Sequence, residues 1–111
     1  MSTYEIIAPK NLKATINLPA SKSISNRALI VHALCGGQLP NNLSDCDDTH
    51  AVVNALKDMP ETINIGAAGT AMRFLTAYLS VTPGDHTITG SERMCHRPIG
   101  VLVDALRMLG A

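Results

Sequence analysis

The segment Lys22-Ser23-Ile24-Ser25-Asn26-Arg27-Ala28-Leu29-Ile30-Val31-His32-Ala33-Leu34 decides the fold. Its polar groups crowd into the first turns, and after Arg27 it is apolar nearly all round. A helix with no polar stripe is covered on every side, so the segment reads as a buried helix over about 23–34. Cys35-Gly36-Gly37 follows, where glycine supplies the left-handed residue that closes a helix. The design recurs at Thr70-Ala71-Met72-Arg73-Phe74-Leu75-Thr76-Ala77-Tyr78-Leu79, whose one charge, Arg73, again sits in the first turn.

Outward from these helices the chain alternates. Tyr4–Ala8 and Ala14–Leu18 read as strands; Ala14, Ile16 and Leu18 alternate with Thr15 and Asn17, and Pro19 ends the run. Residues 38–43 read as a loop or weak strand broken by Pro40. Ser44 or Asp45 is placed to cap a helix over about 47–57, with Asp47 and Asp48 beside its positive end and Pro60 beyond it. Thr62–Ile65 and Asp85–Thr89 read as strands, with the small-residue turn Gly66-Ala67-Ala68-Gly69 after the first. Gly90–His96 reads as polar loop, and Pro98 as a first-turn residue opening a last helix to about Leu109. Strands alternating with helices define an α/β class.

The 111 residues suit one domain. By size scaling such a chain exposes roughly 5,900 Å² folded against about 17,000 Å² extended, enough to bury a core. Nine basic and nine acidic residues cancel, which excludes a generic cationic nucleic-acid binder. Aromatics at 3%, with no Trp, leave no base-stacking platform. No run of 18 apolar residues is present to span a membrane, and Met1–Glu5 shows no secretion signal, so a cytoplasmic protein is expected. Cys35, Cys46 and Cys95 are odd in number and widely spaced, and read as reduced thiols.

The balanced charge hides an arrangement. Lys22 and Arg27 lie at the start of the first helix, Arg73 at the start of the third, and Arg97 just before the last, around an acidic middle of Asp45, Asp47, Asp48, Asp58 and Glu61. A cation at a helix N-terminus opposes the macrodipole by about 0.3–1 kcal/mol. The free N–H groups there also want acceptors. A small, multiply charged anion satisfies both at once, and the Gly66–Gly69 turn adds backbone N–H groups that no side chain blocks. The plain alternative is that each arginine pairs with a surface carboxylate.

Other motifs fail on their spacing. Lys22-Ser23 lacks the upstream glycines of a phosphate loop, and Gly66-x-x-Gly69 lacks the rest of a dinucleotide fingerprint. Cys95-His96 has no second pair at zinc spacing, and Ser21, Ser23 and Ser25 have no readable base. Asp45-x-Asp47-Asp48 is half a calcium loop, with His50 and Leu56 at the positions that need glycine and glutamate, and reads as helix capping.

Four stretches carry a resemblance. Leu18-Pro19-Ala20-Ser21-Lys22-Ser23-Ile24-Ser25-Asn26-Arg27-Ala28 and Ala68-Gly69-Thr70-Ala71-Met72-Arg73 resemble the two signatures of the 5-enolpyruvylshikimate-3-phosphate synthase family. Ser44-Asp45-Cys46-Asp47-Asp48-Thr49 resembles the acidic element between them, and Gly90–Gly100, continued by Leu102–Leu106, a later stretch. The resemblance implies a fold of two halves, each of three similar α/β units in pseudo-threefold symmetry. Residues 1–111 would be its N-terminal portion, with about 1–20 as strands near the hinge and about 21–111 as much of one unit.

The implied reaction moves the enolpyruvyl group of phosphoenolpyruvate to the 5-hydroxyl of shikimate 3-phosphate, by addition and then elimination of phosphate, with no metal and no organic cofactor. Lys22 would contact both substrates and is the implied catalytic residue; Ser23 and Arg27 would hold the shikimate carboxylate. Gly69 would offer its N–H to phosphoenolpyruvate, Arg97 would pair with its charge, and Thr70 and Arg73 would shape the helix start. Ala67 stands where the family often has asparagine, Phe74 where proline commonly follows the arginine, and the stretch between Leu56 and Gly66 is short. The family's remaining catalytic groups lie beyond these residues, so this piece alone is expected to be inactive and, through its all-apolar helices, to self-associate. Two rivals are a non-catalytic anion-binding module and the related enolpyruvyl transferase acting on UDP-N-acetylglucosamine.

Overall fold

Ser21 opens the first helix: its hydroxyl accepts the Ile24 N–H at 3.4 Å, and α1 runs Lys22–Cys35. Gly36, at φ +71°, closes it by donating its N–H to the His32 carbonyl. These are the cap chemistries that the sequence supplies on either side of the apolar run. The computed structural model describes all of residues 1–111.

Helix α2 spans Asp47–Asp58 and differs at its start from expectation. Its N-cap is Cys46, not Ser44 or Asp45. Ser44 is buried, with its N–H donated to Ser25 Oγ at 2.8 Å, and Asp45 turns outward to His50 Nε2 at 2.7 Å. Met59 ends α2 in the left-handed conformation, ahead of Pro60.

Strand β1 (Thr62–Asn64), helix α3 (Gly69–Leu79) and strand β2 (Thr87–Thr89) form a βαβ unit with parallel pairing, Ile63 opposite Ile88. The Gly90–His96 region is not all loop. Ser91 accepts the Met94 N–H and caps a short helix α4, Glu92–Cys95, whose Met94 is buried. The last helix, α5, spans Gly100–Met108, so Pro98 precedes its N-cap Ile99 rather than occupying the first turn. Its end is a Schellman closure: Ala111 N–H reaches the Leu106 carbonyl and Gly110 N–H, at φ +99°, the Arg107 carbonyl.

The core gathers Leu29 of α1, Val52 and Ala55 of α2, Ile63 and Ile65 at β1, Ala68, Ala71, Met72 and Leu75 at α3, and Met94. Helices α1, α2 and α3 pack on one another, and α2 also contacts β1. Two expectations are corrected here. Residues 1–20 form no strand: none of their backbone groups is hydrogen-bonded, and Tyr4, Ile6, Ile7, Leu12, Ile16 and Leu18 are exposed. Alternation gives a strand its two faces but not its partner, and no partner lies beside this arm. Nor is α1 buried all round, since Ile24, Val31 and Leu34 face outward while Ser25, Asn26 and Leu29 face the core.

The surface reflects both. It totals 8668 Å², against the roughly 5,900 Å² of a closed globule of this mass. The radius of gyration is 18.0 Å, against about 13 Å for a compact domain of this length.

Candidate functional site

Three helix starts converge through a buried polar lock. Thr49 Oγ1, in the first turn of α2, donates to Asn26 Oδ1 of α1 at 2.9 Å, and Asn26 is wholly buried. With the Ser44–Ser25 bond, this fixes the starts of α1 and α2 against each other. Lys22 Nζ and Asp48 Oδ1 then face one another at 3.5 Å. Both remain partly solvated, so the pair adds little to stability; its role is placement.

The third start is α3. Its N-cap is Ala68, which has no side chain to cap it, and the N–H groups of Gly69, Thr70 and Ala71 have no acceptor within the chain. Arg73 donates from Nη1 to the Gly69 carbonyl at 3.2 Å and from Nη2 to the Pro98 carbonyl at 3.4 Å. This ties the helix start to the segment that carries Arg97. The Gly66 carbonyl accepts the Ser91 N–H at 2.8 Å, and Gly90 lies so close that a Cβ there would overlap that carbonyl oxygen. The Arg97 guanidinium is laid against Gly69, where a Cβ would overlap Nη1 and stand 3.0 Å from Cζ. Arg27 donates to the Ser23 carbonyl at 3.0 Å, and its Cζ sits 5.3 Å from the centroid of the Phe74 ring.

The result is one polar cleft of about 420 Å³, lined by Lys22, Ser23, Arg27, Asp48, Ala67, Gly69, Thr70, Arg73, Phe74 and Arg97. All seven residues singled out from the sequence are in it. Four cations face one carboxylate, beside three free amides of a helix start, so the cleft favours an anion by charge and by dipole. A larger groove of about 510 Å³ lies alongside, between α1 and α3, but Arg27 is the only ionisable group among its otherwise apolar lining apart from Tyr78. The two share Arg27 and Phe74.

Two details depart from the sequence reading. The cleft does not use the start of α5: Arg97 reaches in as a side chain from the link ahead of it. The third helix start is instead that of α2, through Asp48, which reads from sequence only as a capping residue. The signal for Asp48 was its position in a first turn, at the same level as the two basic starts. Outside the cleft lining, a hydrogen bond from the Ser44 side chain holds the Cys46 thiol below its ordinary range.

Comparison with known proteins follows the same residues. Proteins named 3-phosphoshikimate 1-carboxyvinyltransferase match along nearly all of the chain. That of Bacteroides fragilis strain NCTC 9343 is 68% identical over 109 residues, covering 97% of this chain and 27% of the relative. Those of Shewanella halifaxensis and Tolumonas auensis are 42% and 39% identical, covering 92% and 100% of this chain and 30% and 32% of theirs. The chain thus spans about a quarter to a third of the length of these relatives. No solved structure matches it. The sequence model of one family aligns in two pieces, residues 6–64 and 59–111, that overlap inside the short stretch after Leu56. With nearly every residue accounted for by that alignment, the chain belongs to the EPSP synthase (3-phosphoshikimate 1-carboxyvinyltransferase) family.

Proposed function

We propose that the protein carrying these residues transfers the enolpyruvyl group of phosphoenolpyruvate to the 5-hydroxyl of shikimate 3-phosphate and releases phosphate. The observation that carries this reading is the single cleft in which Lys22, Ser23, Arg27, Gly69, Thr70, Arg73 and Arg97 meet. Two anions repel in water, and joining them needs fixed cations and dipoles where water is scarce. Ser23 and Arg27, on α1, take the shikimate carboxylate. Across the cleft, the free N–H of Gly69 and the guanidinium of Arg97 take phosphoenolpyruvate. Lys22 lines the same cleft, where it would touch both substrates and steady charge or move a proton at the reacting oxygen. Thr70 and Arg73 hold the helix start in shape, Arg73 through the Gly69 and Pro98 carbonyls.

The reading extends to the whole protein. Residues 1–111 form the N-terminal portion of a two-half, pseudo-threefold fold, working in the cytoplasm. The unpaired arm 1–20 and the outward face of α1 support this, since both carry apolar side chains that further units would cover. The test is steady-state phosphate release by the full-length protein from both substrates together. Lys22→Ala and Arg97→Ala abolish it or lower kcat/KM by at least two orders of magnitude, and the 111-residue piece alone releases none. Turnover with UDP-N-acetylglucosamine in place of shikimate 3-phosphate would refute the assignment.

A further inference from the structure

We propose that Phe74 is a specificity-determining positioning residue: its ring holds the Arg27 guanidinium at the mouth of the cleft and so sets the affinity for the carboxylate of shikimate 3-phosphate. The proposal rests on the role given to Arg27 above. Arg27 starts out free to swing, since it is exposed and makes no ion pair. Two contacts fix it. Nη1 donates to the Ser23 carbonyl one turn back on α1, and the Phe74 ring of α3 lies 5.3 Å from Cζ.

The two contacts differ in what they leave behind. The carbonyl uses one of the five guanidinium donors. The ring attracts the cation through its face and uses none. Both residues line the polar cleft and the apolar groove alike, so the pair forms the wall between them. The ring therefore keeps the guanidinium from folding back over Ile30, Val31 and Leu34, and leaves its other donors for a planar anion. Arg97, laid on Gly69, has no such contact with Phe74, so the effect is confined to one substrate.

The test is substrate kinetics of the full-length protein. Phe74→Leu keeps an apolar side chain without a ring face. It raises KM for shikimate 3-phosphate about fivefold, equivalent to about 1 kcal/mol at 1.4 kcal/mol per tenfold, and moves KM for phosphoenolpyruvate less than twofold. Phe74→Tyr restores the face and the parent KM. In the Arg27→Ala background Phe74→Leu has no further effect. Should Phe74→Leu fail to fold, Phe74→Met carries the same comparison. Equal rises in both KM values, no rise in either, or additivity with Arg27→Ala would overturn the proposal. If Arg27→Ala itself leaves KM for shikimate 3-phosphate unchanged, the role assigned to Arg27 falls instead.

Discussion

Gly69→Ala separates the stability of this fold from the working of its cleft. Gly69 is the first residue of α3 and does not occupy the left-handed region, so its backbone accepts alanine without strain. Alanine also leaves the unfolded chain less freedom to lose on folding, a gain of about 0.4–1 kcal/mol at a compatible site. The only group in the way is the Arg97 guanidinium, whose Cζ would stand 3.0 Å from the new Cβ and whose Nη1 would overlap it. That end of a long side chain yields before the helix does. Arg97 must lift away from the free N–H groups of the α3 start, where phosphoenolpyruvate is proposed to bind. A hydrogen bond to a charged group contributes about 1.5–3 kcal/mol. Arg97 is moved and not removed, so the loss falls at the lower end, a rise in KM for phosphoenolpyruvate of about tenfold. Steady-state kinetics of the full-length protein, with thermal unfolding on the same samples, reads both effects. A folded variant with an unchanged KM for phosphoenolpyruvate would refute the reasoning, and so would a lowered melting temperature with both KM values raised together.

Thr49→Val removes the donor to Asn26 and leaves that amide buried without a partner on either side; thermal and denaturant unfolding should show a loss of about 1–3 kcal/mol, with Thr49→Ser near the parent. Ala67→Asn adds a polar group at the cleft wall beside Gly69. It is expected to lower KM for phosphoenolpyruvate about threefold to tenfold, the yield of one hydrogen bond, without changing KM for shikimate 3-phosphate. Cys46 loses its proton earlier than an ordinary thiol because a hydrogen bond from the Ser44 side chain favours the thiolate. Its alkylation, followed by peptide mass spectrometry against pH, should therefore have a midpoint that rises in Ser44→Ala.

What the sequence discloses depends on whether a signal is local. A glycine C-cap is local: Gly36 closes α1 because its left-handed φ acts within one turn, whereas the N-cap of α2 falls on Cys46 and not on Ser44 or Asp45, which are drawn to Ser25 and His50. The cations at the starts of α1 and α3 are legible for the same reason. Strands are not local. The alternation of Ala14, Ile16 and Leu18 is a face in search of a partner, and within these residues it finds none. Helix α4 escaped notice because four residues are too few for a periodic pattern, although Ser91 followed by Glu92 was a start signal. The role of Asp48 depends on the crossing of α1 and α2, and that crossing is set by the buried Asn26–Thr49 bond, a pair 23 residues apart.

The way the arginines are held decides between the two readings of their charge. Had they been surface residues paired for solubility, carboxylates would face them. None of Arg27, Arg73 and Arg97 makes an ion pair. Arg27 is oriented by the Ser23 carbonyl and the Phe74 ring, and Arg73 by the Gly69 and Pro98 carbonyls. Arg97 is oriented by the bare face of Gly69. Carbonyls and rings fix the direction of a guanidinium without cancelling its charge, whereas a carboxylate does both. The one carboxylate in the cleft, Asp48, stands 3.5 Å from Lys22, the most mobile and most hydrated of the four cations. Positive potential is thus kept, aimed and left unneutralised at the starts of helices that are themselves positive. That arrangement costs folding energy in the empty cleft and returns it only when an anion arrives.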